Sequence, residues 1–338
     1  MSSSAAALRL LDLIQSHRVT AVIYVAAELG LAELLRHGPK SVSELAEATG
    51  ADGHALGRLL TALSTVGLCA RVGADGYSLT EMGAALDRSA EKSFKAWAIF
   101  EGDMLFKSWH GMLETVMTGK TAAQLAGFAN SFEMMARAPA NVGIFNAAMA
   151  DLTRLVTPDV LGAYDFGRID CLMDVGGGSG QLIGAVARQY PDIRGIVFDL
   201  PRCTEAANRH LQQAGLGDRA NFVAGDFFEA IPNLADAIIL KSVIHDWNDE
   251  RSSLILQNCR RALPANGALL LVERLMPEKP GTSEEDRANA MSDLNMLRGP
   301  GGLERTEQQY RRLLTETGFH PIAVYPAGRF SLIEARVG

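Results

Sequence analysis

The sequence predicts an α/β protein in two parts, a mainly helical front and a parallel sheet covered by helices on both faces. Two observations lead to this. From about residue 164 onward, short apolar runs alternate with amphipathic segments, and the first of those runs ends in the turn "GGGSG". Ahead of that, apolar residues recur at helical spacing, interrupted by one pair of short alternating runs. Alternating strands and helices pack as a parallel sheet with helices on its two faces.

The front half divides as follows. "VIYVAAELGLAELLRHG" reads as one helix closed by Gly38. "SVSELAEATG" opens with a capping box, in which Ser41 and Glu44 each satisfy an orphan amide of the first turn. "ADGHALGRLLTALSTVG" is a third helix, and "LCARVGADGYSLT" is a hairpin around Gly73–Gly76. Three helices and a hairpin make a winged-helix outline. Residues 1–90 hold seven Lys and Arg against nine Asp and Glu, with only Arg58 on the recognition-helix position. A DNA-binding module is basic, so the apolar face of this helix points to protein–protein packing instead. Residues 91–163 are helical and rich in Met and aromatics.

Behind this the order is regular. "CLMDV" is strand one and "QLIGAVARQY" a helix stopped by Pro191. "RGIVFD" is strand two, "TEAANRHLQQAGL" a helix, "ANFVA" strand three, and "DAIILKSVIH" strand four. A helix at 250–263 leads to strand five, "GALLLVERL". "FHPIAVYPAGRFSLIEARV" is a pair of strands joined by a tight turn, hence an antiparallel edge.

Composition excludes several classes. The 338 residues are 48% hydrophobic and 21% charged, with a net charge of −7. This is a globular composition, and the negative balance disfavours nucleic acid and anionic membranes as partners. No run approaches the ~18 apolar residues of a membrane span. The first residues lack the basic and apolar regions of a signal peptide, so a cytoplasmic location is expected. Cys69, Cys171, Cys203 and Cys259 show no metal-ligand or disulfide spacing, and no metal is expected.

Ligands of open α/β sheets bind beyond the carboxyl ends of the strands. The Gly176–Gly180 turn stands there, as do Asp199, "GDFF" (225–228) and "KSVIHDW" (241–247). The third glycine of a dinucleotide fingerprint is missing. Counted from Gly176 its position holds Gln181, and from Gly178 it holds Ile183, which removes a nicotinamide oxidoreductase. Asp199, nineteen residues beyond Gly180, is placed to bind a ribose diol. A single nucleoside carrying an amino acid fits better.

"DVGGGSG", "FDLP", "GDFF", "LKSVIHDW" and "GGLERT" stand in the order found in S-adenosylmethionine-dependent O-methyltransferases. The chain resembles the branch with plant caffeic acid and bacterial phenazine and polyketide-tailoring enzymes over nearly its whole length. The resemblance implies a winged-helix-like dimerisation domain over residues 1–95 and a methyltransferase domain over 96–338. The latter comprises a helical substrate-pocket segment (96–163) and a Rossmann-like, cofactor-binding core (164–338). It implies S-adenosylmethionine contacts at Gly176, Asp199, Asp226, Phe227, Lys241 and Thr153. It also implies a substrate pocket with Phe145, Met149, Asn295 and Met296, and a homodimer through the front domain. Phe227 departs from the methionine common in plant members but keeps an apolar surface for adenine.

Within that family the histidine matching His245 is the general base, flanked by glutamates matching Glu273 and Glu304. The chemistry needs one, because a phenol has a pKa of about 10 and an ordinary imidazole about 6.5, a gap of roughly 4.8 kcal/mol. Asp246 is expected to tighten the turn and Trp247 to pack behind it. The expected activity is methyl transfer to a hydroxyl of a small aromatic metabolite. A nitrogen or carbon acceptor would use the same cofactor site, and an S-adenosylmethionine-sensing winged-helix regulator is disfavoured by the acidic front.

Overall fold

The computed structural model describes residues 3–137 and 139–338. They form two compact units, Met1–His110 with Pro139–Leu152, and Gly111–Ala138 with Thr153–Gly338. The first unit thus extends beyond residue 95. No helix among the described residues is long and apolar enough to cross a membrane.

In the first unit, helices span Ser3–Gln15, His17–Glu28, Leu31–Leu35, Val42–Thr49 and Gly53–Thr65. The run read as one helix up to Gly38 is broken at Gly30, whose φ of 64° ends the first segment. The capping box of Ser41 and Glu44 is present, and Asp52 caps the next helix through Ala55 N. Leu56, Leu60 and Leu63, spaced i, i+4, i+7, turn one face of that helix into the core with Leu31, Leu45 and Tyr77. The expected hairpin forms as Cys69–Val72/Gly76–Leu79 and gains a third strand, Lys40–Ser41. Two residues of strand leave no periodicity to detect. The first helix exposes Leu8, Leu10, Leu11, Leu13 and Ile14.

The second unit is built on a seven-stranded sheet. Its strands are β1 (Cys171–Val175), β2 (Arg194–Asp199), β3 (Ala220–Ala224), β4 (Ala237–Lys241), β5 (Ala268–Glu273), β6 (Phe319–Ala327) and β7 (Phe330–Val337). The spatial order is β6-β7-β5-β4-β1-β2-β3. β1 to β5 are parallel, and the β6–β7 hairpin closes one side antiparallel. β1, β4 and β5 are apolar nearly end to end, as strands covered on both faces must be. Strand order reverses between β1 and β4, so the crevice at their carboxyl ends is the natural ligand site.

Three elements escape a sequence reading: the helices Glu284–Arg298 and Glu307–Glu316, and a parallel ladder pairing Leu275–Met276 with Arg305–Thr306. The ladder is short, yet it draws the loop containing Glu304 back to the end of β5.

Candidate active site

The glycine turn follows β1 directly. Gly176 has φ 76°, and a Cβ there would lie 2.8 Å from Val243 Cγ2 and 3.8 Å from the Phe227 ring. Only glycine lets the turn pass that close beneath the residues after β4. At Gly178 an added Cβ would meet nothing within 4 Å, so the turn is open on that side. The Gly178 amide donates to Asp199 Oδ2 (2.8 Å), and Leu200 N donates to Asp199 Oδ1 (2.6 Å). Asp226 Oδ1 accepts from Phe228 N (2.8 Å). Phe227 and Phe228 meet edge-to-face, and both stand edge-on to Trp247 at 6.2 and 4.7 Å. Trp247 therefore packs where expected. Lys241 ends β4, its Nζ 3.4 Å from Ser242 Oγ. An open glycine turn, an acid at the next strand end and an acid followed by an aromatic ring at the third suit a nucleoside. These residues fit S-adenosylmethionine.

Asp174, in the strand leading into this turn, was not foreseen. Burial pushes its carboxyl up to about 7, and Lys241 opposes that rise. A Cβ on Gly177 would sit 2.8 Å from its Oδ2. The one signal in the sequence is an acid inside the otherwise apolar "CLMDV". Thr153 is buried in the helix Pro139–Ala163, and its carbonyl accepts from Thr157 Oγ1 (2.7 Å).

The second cluster begins where β4 ends. Ser242 adopts a φ of 55°, unusual for a residue with a Cβ, and the chain turns through Ile244–Asp246. Because β4 and β5 are paired with Lys241 opposite Val272, Glu273 lies under this turn. Its Oε1 accepts from Val243 N (3.1 Å) and Ile244 N (2.8 Å), and its Oε2 is 3.5 Å from His245 Nδ1. Glu304 approaches from the other side, with Oε1 3.2 Å from the same Nδ1. The two carboxylates are fully buried and the imidazole is 12% exposed. Since both neighbours of Nδ1 are acceptors, Nδ1 carries a hydrogen and the lone pair of the neutral ring lies on Nε2. Asp246 does more than tighten the turn, for its Oδ1 is 3.6 Å from Nε2.

Electrostatics follow from this crowding. Burial works against a charged His245, but Glu273, Glu304 and Asp246 outweigh it and raise the imidazole to about 10. Burial lifts Glu273 to about 7 against the pull of His245. Burial also opposes ionisation of Glu304, yet His245, the Ser292 hydroxyl and Arg274 keep it below the usual carboxylate range. Donor atoms of His245, Glu273 and Glu304 all lie within 4.8 Å of one another, a spacing that suits shared protons and would also admit a divalent cation.

Glu304 is held by groups the sequence did not single out. Ser292 Oγ donates to its Oε1 (2.7 Å), and its own amide donates to Asp293 Oδ1 (2.9 Å). Asn295 and Met296 lie one turn further along the same helix. Asn295 is half-buried and its Oδ1 accepts from Arg298 (3.4 Å), whereas Met296 is buried. Phe145 and Met149 lie in the first unit, where the Phe145 ring meets Phe100 edge-on at 5.7 Å. Their expected role in substrate binding rests on the resemblance.

Comparison with known proteins bears on this geometry. A family model described as an O-methyltransferase domain matches residues 109–320, and one described as an O-methyltransferase dimerisation domain matches residues 11–89. The phenazine O-methyltransferase of Lysobacter antibioticus is 38% identical over 328 residues, covering 97% of this chain and 95% of the relative. An 8-amino-8-demethylriboflavin N,N-dimethyltransferase of Streptomyces davaonensis is 32% identical over 327 residues, 94% of this chain and 92% of the relative. The crystal structure of human N-acetylserotonin methyltransferase in complex with S-adenosylmethionine matches with a TM-score of 0.91 at 28% identity, over 100% of this chain and 99% of that one.

Proposed function

The chain belongs to the S-adenosylmethionine-dependent O-methyltransferase family, and we propose that it methylates a hydroxyl of a small aromatic metabolite with His245 as general base. The observation behind this is an imidazole whose Nδ1 lies beside two buried carboxylates, so that the lone pair of the neutral ring falls on Nε2. Gly176, Asp199, Asp226, Phe227, Lys241 and Thr153 are the proposed cofactor residues, with Asp199 accepting from the ribose hydroxyls. When bound, the cofactor supplies an electrophilic methyl carbon on its sulfonium. Asn295 and Met296, one turn from Ser292, offer a polar and an apolar contact for a flat ring. The relatedness to a phenazine-modifying enzyme supports a fused-ring phenol and a role in bacterial secondary metabolism. The dimerisation-domain match and the exposed leucines of Ser3–Gln15 support a homodimer.

His245 performs the proton transfer. With a pKa of about 10 it matches a phenol, so the proton exchanges between them at little cost, whereas an ordinary imidazole would face about 4.8 kcal/mol. The consequence is that His245 rests as the imidazolium at neutral pH, with about one part in a thousand neutral at pH 7. One proton must leave the His245–substrate pair before transfer. The value of kcat/KM is therefore expected to rise close to tenfold per pH unit above 7 and to level near pH 10. In Glu304→Gln one carboxylate is gone and the imidazolium is less favoured, so levelling should begin about one to three units lower. A Glu304→Gln profile that coincides with the parent's would remove Glu304 from this role.

The riboflavin-modifying relative makes an amine acceptor the second reading. A neutral aryl amine attacks through its own lone pair and loses its proton afterwards. Its methylation would then depend little on His245, and the rate of a His245→Ala variant separates the two.

A further inference from the structure

His245 is only as well placed as the turn that carries it. That turn is held by Glu273 at Val243 N and Ile244 N, by Ser252 Oγ at the Ile244 and Trp247 carbonyls, and by the segment that delivers Glu304. Gly302 lies so close that a Cβ there would stand 2.0 Å from the His245 carbonyl oxygen. Leu303 N donates to that same oxygen at 2.9 Å. Arg305 is 1% exposed, and each of its three guanidinium nitrogens donates a hydrogen bond. Nη1 donates to Ile244 O (3.1 Å), and Nη2 to Trp247 O (2.8 Å) and Ser252 Oγ (3.2 Å). Nε and Nη2 both reach Asp249 Oδ1, at 2.9 and 2.8 Å. The two carbonyls it grips bracket His245 in sequence. A planar fork can hold two carbonyls and a carboxylate at once, and the point charge of a lysine cannot.

We propose that Arg305 is a positioning residue for the reaction: by clamping Ile244 and Trp247 it keeps the His245 ring between Glu273 and Glu304. This rests on the reading of His245 as the base, and the experiment below keeps the two apart. The groups facing His245 are Glu273 at the end of β5, Glu304 beside Arg305, and Asp246 in its own turn. Around these stand Lys241 at the end of β4, Arg274, and Tyr310 of the helix Glu307–Glu316.

The test is a nuclear magnetic resonance titration of the full chain labelled with 15N-histidine, its His245 signals assigned by their loss in His245→Gln. Arg305→Lys keeps the cation and loses the fork. The ring should drift from its carboxylates, so its pKa should fall by about one unit or more. The kcat is expected to fall about ten- to hundredfold, as for a misplacement near 1 Å, with affinity for S-adenosylmethionine unchanged. Arg305→Gln is the second variant. Loss of a nearby cation would by itself raise the imidazole, so a fall there isolates geometry. Asp249→Asn leaves both carbonyl contacts and should leave the titration unchanged. A folded Arg305→Lys protein in which His245 titrates as in the parent would overturn the proposal, as would an Asp249→Asn shift equal to that of the lysine variant. If His245→Ala keeps the parent's rate, the base assignment fails, while the titration still reports on the clamp.

Discussion

Replacing His245 with alanine is expected to lower kcat on a phenolic acceptor by about 10²–10⁴-fold, the range of one general base. The affinity for S-adenosylmethionine should stay near the parent value, because the residues proposed to hold it include neither His245 nor its carboxylate partners. They lie on the glycine turn, at or just beyond the ends of β2, β3 and β4, and in the helix Pro139–Ala163. The protein has a way to tolerate the change. Glu273, already pushed to about 7 by burial, takes up a proton once the imidazolium beside it is gone. Its Oε1 goes on accepting from Val243 and Ile244, so the turn keeps its backbone contacts. The residual rate should follow ionisation of the substrate's own hydroxyl. Single-turnover rates with a saturating phenol, together with a calorimetric titration of the cofactor, check both halves. A variant as fast as the parent would make His245 a structural residue.

Asp199→Ala is expected to weaken S-adenosylmethionine binding by about 100-fold or more. A carboxylate accepting from two ribose hydroxyls makes two charge-assisted hydrogen bonds, each worth about 1.5–3 kcal/mol. The same carboxylate also fixes the glycine turn through Gly178 N and the chain beyond β2 through Leu200 N. Alanine therefore removes a ligand contact and loosens the turn under it. Calorimetry on the variant, and loss of the thermal shift that the cofactor produces in the parent, measure the effect. Unchanged affinity would assign the ribose to another group.

Most of the sheet was legible because each strand is a short apolar run bounded by a turn signal. Parallel pairing of β4 with β5 then follows, and with it the meeting of His245 and Glu273. What escaped is local geometry without periodicity. The helix Glu284–Arg298 has charged residues on most faces and no strong apolar stripe. The ladder of Leu275–Met276 with Arg305–Thr306 has two residues on each side, too few to show alternation. Yet that ladder brings Glu304 to His245. Ser292 and Arg305 show their roles only once the fold brings them to Glu304 and to the turn after β4. Gly302 was visible only as part of a glycine-rich stretch, and its need to be glycine appears with the His245 carbonyl 2.0 Å from where a Cβ would be. The raised pKa of His245 was likewise invisible, since it depends on three carboxylates converging from different elements.

Methyl transfer from S-adenosylmethionine to an aromatic hydroxyl underlies the proposed roles of His245, Glu273 and Glu304. It is tested most directly by incubating the purified protein with methyl-labelled cofactor and paired acceptors that differ only in bearing a hydroxyl or an amine on the same fused ring. The position of the label is then read by mass spectrometry. Label in an aryl methyl ether, with the hydroxyl partner preferred, is the predicted result. Label on nitrogen, at a rate unaffected by loss of His245, would contradict it.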